Sequence, residues 1–384
     1  MHDSTKQVLI VAGEASGDHH ASRLVEELHK RDPNVHFAGI GGERMRKAGV
    51  EILVDSADMA VVGLIEVLAN YRFLKGVLDR MRRELRERRP DMLILVDYPD
   101  FNLRLAKTAK ELGIKVLYYI SPQVWAWRQK RVYKIKELVD MMAVVFPFEV
   151  PFYEKAGVPV RFVGHPLVDE VGSELTKEQA QREFGLDPKR PVLGLFPGSR
   201  RSEIKRLLPI LLESAARLQK DLPEVQFILP RAYTLSEEFV APYLADTDLD
   251  ITVVPNRFYD VARACDTIVS ASGTATLEIA LMQVPLVVLY KIAPLSYHII
   301  SRLLKVKHIA LCNIVADERV ATELIQHDAT PEKISRETLA LLQDQAKADQ
   351  MRERLETIRE KLGGPGGSAN VAKLALDLLE QKSS

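Results

Sequence analysis

The sequence predicts an α/β protein built from two doubly wound parallel sheets, and three observations lead there. Short apolar runs rich in β-branched residues alternate with amphipathic helical stretches, the pattern of βαβ units whose strands are buried on both faces. That pattern runs twice, interrupted by a polar, helical stretch over residues 169–191. At 384 residues the chain is also too long for one ordinary core, so two domains are expected.

In the first series Val8–Ala12 reads as a strand that turns through Gly13-Glu-Ala-Ser-Gly-Asp18 into a helix over residues 21–30. Val35–Ile40 follows, ending in Gly39-Ile-Gly-Gly42 before a short helix. Met92–Val96, Val116–Ile120, Met142–Phe146 and Arg161–Val163 supply further strands, with helical patterns such as Leu103–Leu112 between them. The second series is Val192–Phe196, Val225–Leu229, Ile251–Val254, Thr267–Val269 and Leu286–Leu289. The two do not align as a sequence repeat. They read as two Rossmann-like halves facing each other across a cleft, where strand carboxyl ends meet a ligand.

The expected boundaries are 1–170 for the amino-terminal domain and 171–361 for the carboxyl-terminal one. Gly363-Gly-Pro-Gly-Gly367 then breaks a charged helical stretch over 332–361. Val371, Leu374, Ala375, Leu378 and Leu379 follow at i, i+3, i+4, i+7 and i+8, so residues 362–384 end in an amphipathic helix. It docks back on the first domain or on a second subunit.

Hydrophobic residues make up 47% and charged residues 28%, the balance of a soluble globular protein, and a formal net charge of zero argues against a bulk nucleic-acid binder. Cys265 and Cys312, each beside apolar residues, read as reduced core thiols, and no CxxC or His-rich spacing points to a metal. No secretory leader is evident and no apolar run approaches the roughly 18 residues of a membrane span, so a cytoplasmic protein is expected. Charge is nevertheless segregated. Residues 72–89 carry eight basic side chains against three acidic, and Arg128, Lys130, Arg131, Lys134 and Lys136 form a second basic cluster.

Several turns carry chemistry. Thr267–Val269 runs through Ser270–Gly273 into a helix over 275–282, leaving helical N–H groups and the positive end of the dipole beside small residues. Ser272, Gly273 and Thr274 let a phosphate approach closely. Glu278, four residues past Thr274 on the same helix face, suits a ribose diol. Pro197-Gly-Ser-Arg200 is a second such turn, in which Ser199 and Arg200 can hold a diphosphate without a metal. Asp97-Tyr-Pro-Asp-Phe-Asn102 places Asp97 at a strand carboxyl end, where a general base for a hydroxyl nucleophile belongs. Asp100 is either the base in place of Asp97 or the cap of the following helix.

The Gly13–Asp18 turn lacks G-x-G-x-x-G and reads as a polar loop lining the cleft, with Glu14, Ser16 and Asp18. Trp125 and Trp127 read as core or rim filler and His165 as structural. Over residues 59–69 the only charge is Glu66. Val61, Leu64, Ile65 and Leu68, with Arg72 and Lys75 after them, fit a helix lying in an anionic membrane surface. The stripe Leu74, Val77, Leu78, Met81 and Leu85 equally fits a buried helix with a solvated arginine face.

In this order the turns at 13–18, 97–102, 121–131, 197–200 and 272–278 resemble the lipid-A-disaccharide synthases, glycosyltransferases of the GT-B fold. The resemblance covers nearly the whole chain, and the tryptophan stretch Ser121-Pro-Gln-Val-Trp-Ala-Trp-Arg-Gln-Lys-Arg131 is its most specific part. It implies transfer of 2,3-diacylglucosamine from its UDP derivative to 2,3-diacylglucosamine 1-phosphate, with inversion, giving a β-1,6-linked disaccharide and UDP without a cofactor. It further implies Arg200 on the diphosphate, the 272–274 turn at the phosphates, Glu278 on the ribose and Asn313 at the same site. Asp97 would deprotonate the acceptor 6-hydroxyl. Peripheral attachment to the inner face of the inner membrane and a homodimer with exchanged carboxyl-terminal elements are implied as well. The alternatives are a UDP-sugar 2-epimerase of the same architecture and a non-catalytic nucleotide-sugar-binding protein.

Overall fold

The computed structural model describes residues 5–59, 66–293, 297 and 307–381, apart from the side chains of 66–71 and 127. It divides into two compact units, residues 1–169 with 362–384, and residues 170–361.

The first unit holds a seven-stranded sheet of β1 (Lys6–Ala12), β2 (Val35–Gly41), β3 (Glu51–Asp55), β4 (Met92–Val96), β5 (Lys115–Tyr119), β6 (Met141–Val144) and β7 (Val160–Phe162). Every neighbouring pair is parallel, in the order β3-β2-β1-β4-β5-β6-β7. The central strands are covered on both faces, which is why they read as unbroken apolar runs: Met92 to Val96 are fully buried. β3 is an edge strand with an exposed Glu51 at its start and only the short run Ile52–Val54, two of whose residues are half-buried.

The helix Glu66–Arg88 lays Val77, Leu78, Met81 and Leu85 into the core of this unit. That half of the stripe is therefore interior packing, while Arg72, Phe73 and Lys75 before it and Asp79, Arg80, Arg83 and Arg86 on its other face are exposed. Val61, Leu64 and Ile65 lie outside the described residues, as does the side chain of Leu68. The helix Gly367–Glu380 buries Val371, Ala372, Leu374, Ala375 and Leu378 against the helix Ala15–Arg31 and β5 of its own chain. Asp169 caps it through the Gly366 and Gly367 amides at 2.8 and 3.2 Å.

The second unit holds β8 (Val192–Phe196), β9 (Gln226–Arg231), β10 (Ile251–Pro255), β11 (Thr267–Ala271), β12 (Leu286–Tyr290) and β13 (Thr322–Ile325). Its sheet is also parallel, in the order β10-β9-β8-β11-β12-β13. Residues 169–191 form the short helices Leu167–Glu170 and Lys177–Glu183, the latter closed by a capping box between Thr176 and Gln179.

Candidate active site

Each sheet has one place where the strand order reverses, and an open α/β sheet binds ligands at the carboxyl ends of the strands there. In the first unit that place lies between β1 and β4, and in the second between β8 and β11. The turns leaving these four strands are Gly13–Asp18, Asp97–Asn102, Pro197–Arg200 and Ser272–Thr274. Strand order, invisible in the sequence, puts the turns singled out by chemistry at the two topological switch points.

In the first unit, Ala12 is the register partner of Val96, so Glu14 and Asp97 leave neighbouring strands within a residue of one another. Asp97 and Tyr98 both have left-handed backbones, with φ of 46° and 47°, a conformation that costs a non-glycine residue roughly 1–3 kcal/mol. Hydrogen bonds over-determine it. The Asp97 carbonyl accepts from the Tyr118 hydroxyl at 2.5 Å and the Asn102 side-chain amide at 2.7 Å, and the Asp97 N–H donates to the Tyr119 carbonyl at 3.1 Å. Gly13 makes room, since a Cβ there would meet the Tyr98 ring at 2.6 Å. Burial, and then the nearby Glu14 charge, push the Asp97 carboxyl up to about 6. A carboxylate poised near neutrality can take a proton from a hydroxyl.

Asp100 sits apart from this arrangement. Its side chain is 77% exposed and ion-paired with Arg131. Ser16 is exposed in the first turn of the helix Ala15–Arg31, whereas Asp18 is buried and caps the next helix through the Gly42, Arg44 and Met45 amides.

In the second unit a cavity of about 520 Å³ is lined by Ser199, Arg200, Ser272, Gly273, Thr274 and Glu278 together. Thr274 opens the helix Thr274–Leu281, whose start carries no side-chain cap. Its amide donors and dipole lie at the cavity, and among the described residues no side chain caps them. The helix Arg201–Asp221 differs, because Glu203 folds back and accepts from the Ser199 and Arg200 amides at 2.9 and 3.1 Å. Gly198, with φ of 103°, leaves the room that Glu203 occupies. Arg200 pairs with Glu203 at 3.2 Å, with its guanidinium largely in solvent. Glu278 accepts from the Tyr259 hydroxyl at 2.8 Å, and burial raises its carboxyl above the usual range.

Asn313 is not among the residues that line this cavity. It is fully buried, and its amide is consumed by the Ala321 carbonyl, the Glu323 carboxylate and the Val320 and Ala321 N–H groups, all at 2.9 Å. A chain of hydrogen bonds connects it to the 272–274 turn. Glu323 holds the Ile309 and Ala310 amides, and the Ile309 carbonyl accepts from Ser272. Conversely, Tyr233, Asn256, Arg257 and Phe258 line the cavity although no motif in the sequence marks them. Their one signal is position, since Tyr233 follows the carboxyl end of β9 and Asn256 to Phe258 that of β10.

A second carboxylate also carries no mark in the sequence. Glu149 is buried and accepts from Ser121, from Trp125 Nε1 at 3.1 Å and from the Phe146 amide at 3.2 Å. It ties the tryptophan turn after β5 to the segment after β6.

The sequence model of the family described as Lipid-A-disaccharide synthetase matches residues 8–372. A Lipid-A-disaccharide synthase of Trichlorobacter lovleyi is 57% identical over 376 residues, covering 98% of each chain. One of Nitrosococcus oceani is 58% identical over 380 residues, covering 99% of this chain and 98% of its own. Among solved structures, UDP-GlcNAc 2-epimerase from Neisseria meningitidis, bound to UDP-GlcNAc, superposes with a TM-score of 0.67 at 13% identity over 97% of this chain and 100% of its own. The calicheamicin glycosyltransferase CalG4 does so with a TM-score of 0.63 at 16% identity, over 99% and 100%. At such identities these two likenesses speak to the fold alone.

Proposed function

The chain belongs to the lipid-A-disaccharide synthase family, and from that premise we propose how its residues carry the transfer. It is a glycosyltransferase of lipid A biosynthesis with a GT-B fold, taking a sugar nucleotide and an acceptor. The donor in this reading is UDP-2,3-diacylglucosamine and the acceptor 2,3-diacylglucosamine 1-phosphate.

The observation that carries the assignment of roles is the convergence of Arg200, Ser199, the 272–274 turn and Glu278 on one cavity. The diphosphate sits at the uncapped start of the helix Thr274–Leu281, with the Arg200 guanidinium leaving Glu203 to meet it. Glu278, fixed by Tyr259, takes the ribose through its other oxygen. Asp97 accepts the proton of the acceptor 6-hydroxyl, and that oxygen attacks the anomeric carbon from the face opposite the nucleotide. The bond to the diphosphate breaks as the new C–O bond forms, and UDP leaves with the negative charge. Preorganised amides and a guanidinium meet that charge as it develops, which lowers the barrier more than equal binding of the ground state would.

In the same reading the enzyme is cytoplasmic and rests on the inner face of the inner membrane through the exposed Arg72, Phe73 and Lys75, with Val61, Leu64, Ile65 and Leu68 before them. It is a homodimer. No described helix is long and apolar enough to cross a membrane. The test is incubation with UDP-diacylglucosamine and the monosaccharide phosphate, with release of UDP and a β-linked disaccharide as the expected result. Release of an epimerised UDP-sugar without disaccharide would replace this reading with the 2-epimerase one.

A further inference from the structure

Arg131 Nη2 lies 2.5 Å from Asp100 Oδ1, at the edge of the sheet where Asp97 is found. β4 and β5 are neighbours, with Val96 paired to Tyr119, so the segments that carry Asp97 and the tryptophan turn leave the sheet side by side. Asp100 lies in the first turn of the helix Pro99–Glu111, three residues beyond Asp97. Arg131 begins the helix Arg131–Leu138, which packs against that one. Val132, Ile135 and Leu138 face the core, leaving Lys134 and the preceding Lys130 exposed.

Residues 128–136 hold five cations and no acid, so the segment carries a local excess of positive charge that folding alone does not require. Asp100 offsets one of the five. An ion pair this open to solvent is worth only ~0–1 kcal/mol, so Arg131 gives up Asp100 at little cost. A phosphomonoester dianion is a better partner, presenting up to three oxygens to the planar guanidinium fork and more charge to the neighbouring lysines.

We propose that Arg131, with Lys130 and Lys134, forms the subsite for the phosphomonoester of the acceptor, and that Asp100 is the internal carboxylate this group displaces. The proposal rests on the reading of Asp97 as the base for a sugar hydroxyl, because the acceptor then carries its hydroxyl at Asp97 and its phosphate across the ring. Asp97 and Asp100 are three residues apart on one connection, Asp97 in the left-handed turn after β4 and Asp100 in the first turn of the helix that follows, and Arg131 contacts Asp100. The tryptophan–basic stretch then has a function of its own, in which Trp125 and Glu149 anchor it and Arg131 reads the acceptor.

The experiment compares short-chain acceptors in detergent, with and without the anomeric phosphate, across the wild-type enzyme and its variants. The wild type should favour the phosphorylated acceptor by at least about tenfold in kcat/KM. Arg131→Ala should lose most of that preference while keeping its KM for the UDP-sugar. The Lys130→Ala/Lys134→Ala double variant, which removes only exposed side chains, should lose part of it, so the idea stays testable if Arg131→Ala fails to fold. Asp100→Asn should lower the KM for the phosphorylated acceptor and leave that for the unphosphorylated one unchanged. Full preference retained in Arg131→Ala overturns the subsite. So does a variant that keeps the preference but no longer binds phosphatidylglycerol vesicles, which would assign the cluster to lipid headgroups. Absence of any disaccharide from the wild type would instead overturn the functional reading itself.

Discussion

The Tyr118 hydroxyl donates to the main-chain carbonyl of Asp97 at 2.5 Å, from a side chain wholly buried in the sheet. Together with Asn102 it holds Asp97 in its left-handed conformation, and so aims the carboxylate. Tyr118→Phe deletes that donor and little volume. We expect kcat to fall about tenfold or more, as when a reacting group is misplaced slightly, with UDP affinity unchanged by titration calorimetry. An unaltered kcat would show that the conformation needs no such clamp.

Asp97 sits near pH 6 because of burial first and Glu14 second. The base form is the carboxylate, so kcat/KM should climb with pH through an inflection near 6. Glu14→Gln removes the like charge, and the inflection should then move to lower pH. A profile flat from pH 5 to 8, or an unmoved limb in the variant, would contradict this origin. The sign for stability is opposite. The carboxyl is raised above its unfolded value, so its contribution is fully present below the unfolded value near 4 and is lost as pH rises through about 6.

Among the described residues Arg200 pairs with Glu203 at the surface. Arg200→Ala should weaken UDP binding about tenfold to a hundredfold, the range of a hydrogen bond to a charged group, and leave uridine binding nearly unchanged. Equal loss for both ligands would place Arg200 away from the diphosphate.

Glu149 is the buried counterpart of Asp97. Desolvation pushes its carboxyl up to about 7, against the opposing donation from Ser121, Phe146 and Trp125. Its stabilising contribution is therefore complete below about pH 4.5 and is lost as pH rises through 7, a swing on the order of 3 kcal/mol. The melting temperature of the wild type should fall across that window more steeply than that of Glu149→Gln. Parallel curves would remove Glu149 as the source.

The central strands are legible because buried parallel strands leave unbroken runs such as Met92–Val96, and the phosphate-type turns because small residues there precede helices. The edge strands β3 and β13 carry only short apolar stretches, Ile52–Val54 and Leu324–Ile325, preceded by Glu51 and Glu323, and stay hidden. Strand order is a long-range property, so no local pattern says that Glu14 and Asp97 start from neighbouring strands, or that Pro197–Arg200 and Ser272–Thr274 do. The burial of Asn313 is not legible either, because a buried structural amide and a ligand amide look alike in one dimension. Glu203 is readable in principle, as the acid in the first turn of the helix that folds back to accept from the Ser199 and Arg200 amides. Glu149 and Tyr118 are not, since burial is what makes them informative.

Catalysis in this reading turns on Asp97 supplying the base while the nucleotide is held elsewhere in the chain. The decisive experiment is Asp97→Asn assayed for transfer from UDP-diacylglucosamine and, separately, for UDP binding. Transfer should fall by at least about a hundredfold, the usual contribution of a general base, with an unchanged dissociation constant for UDP. Near-normal transfer in that variant would contradict the assignment.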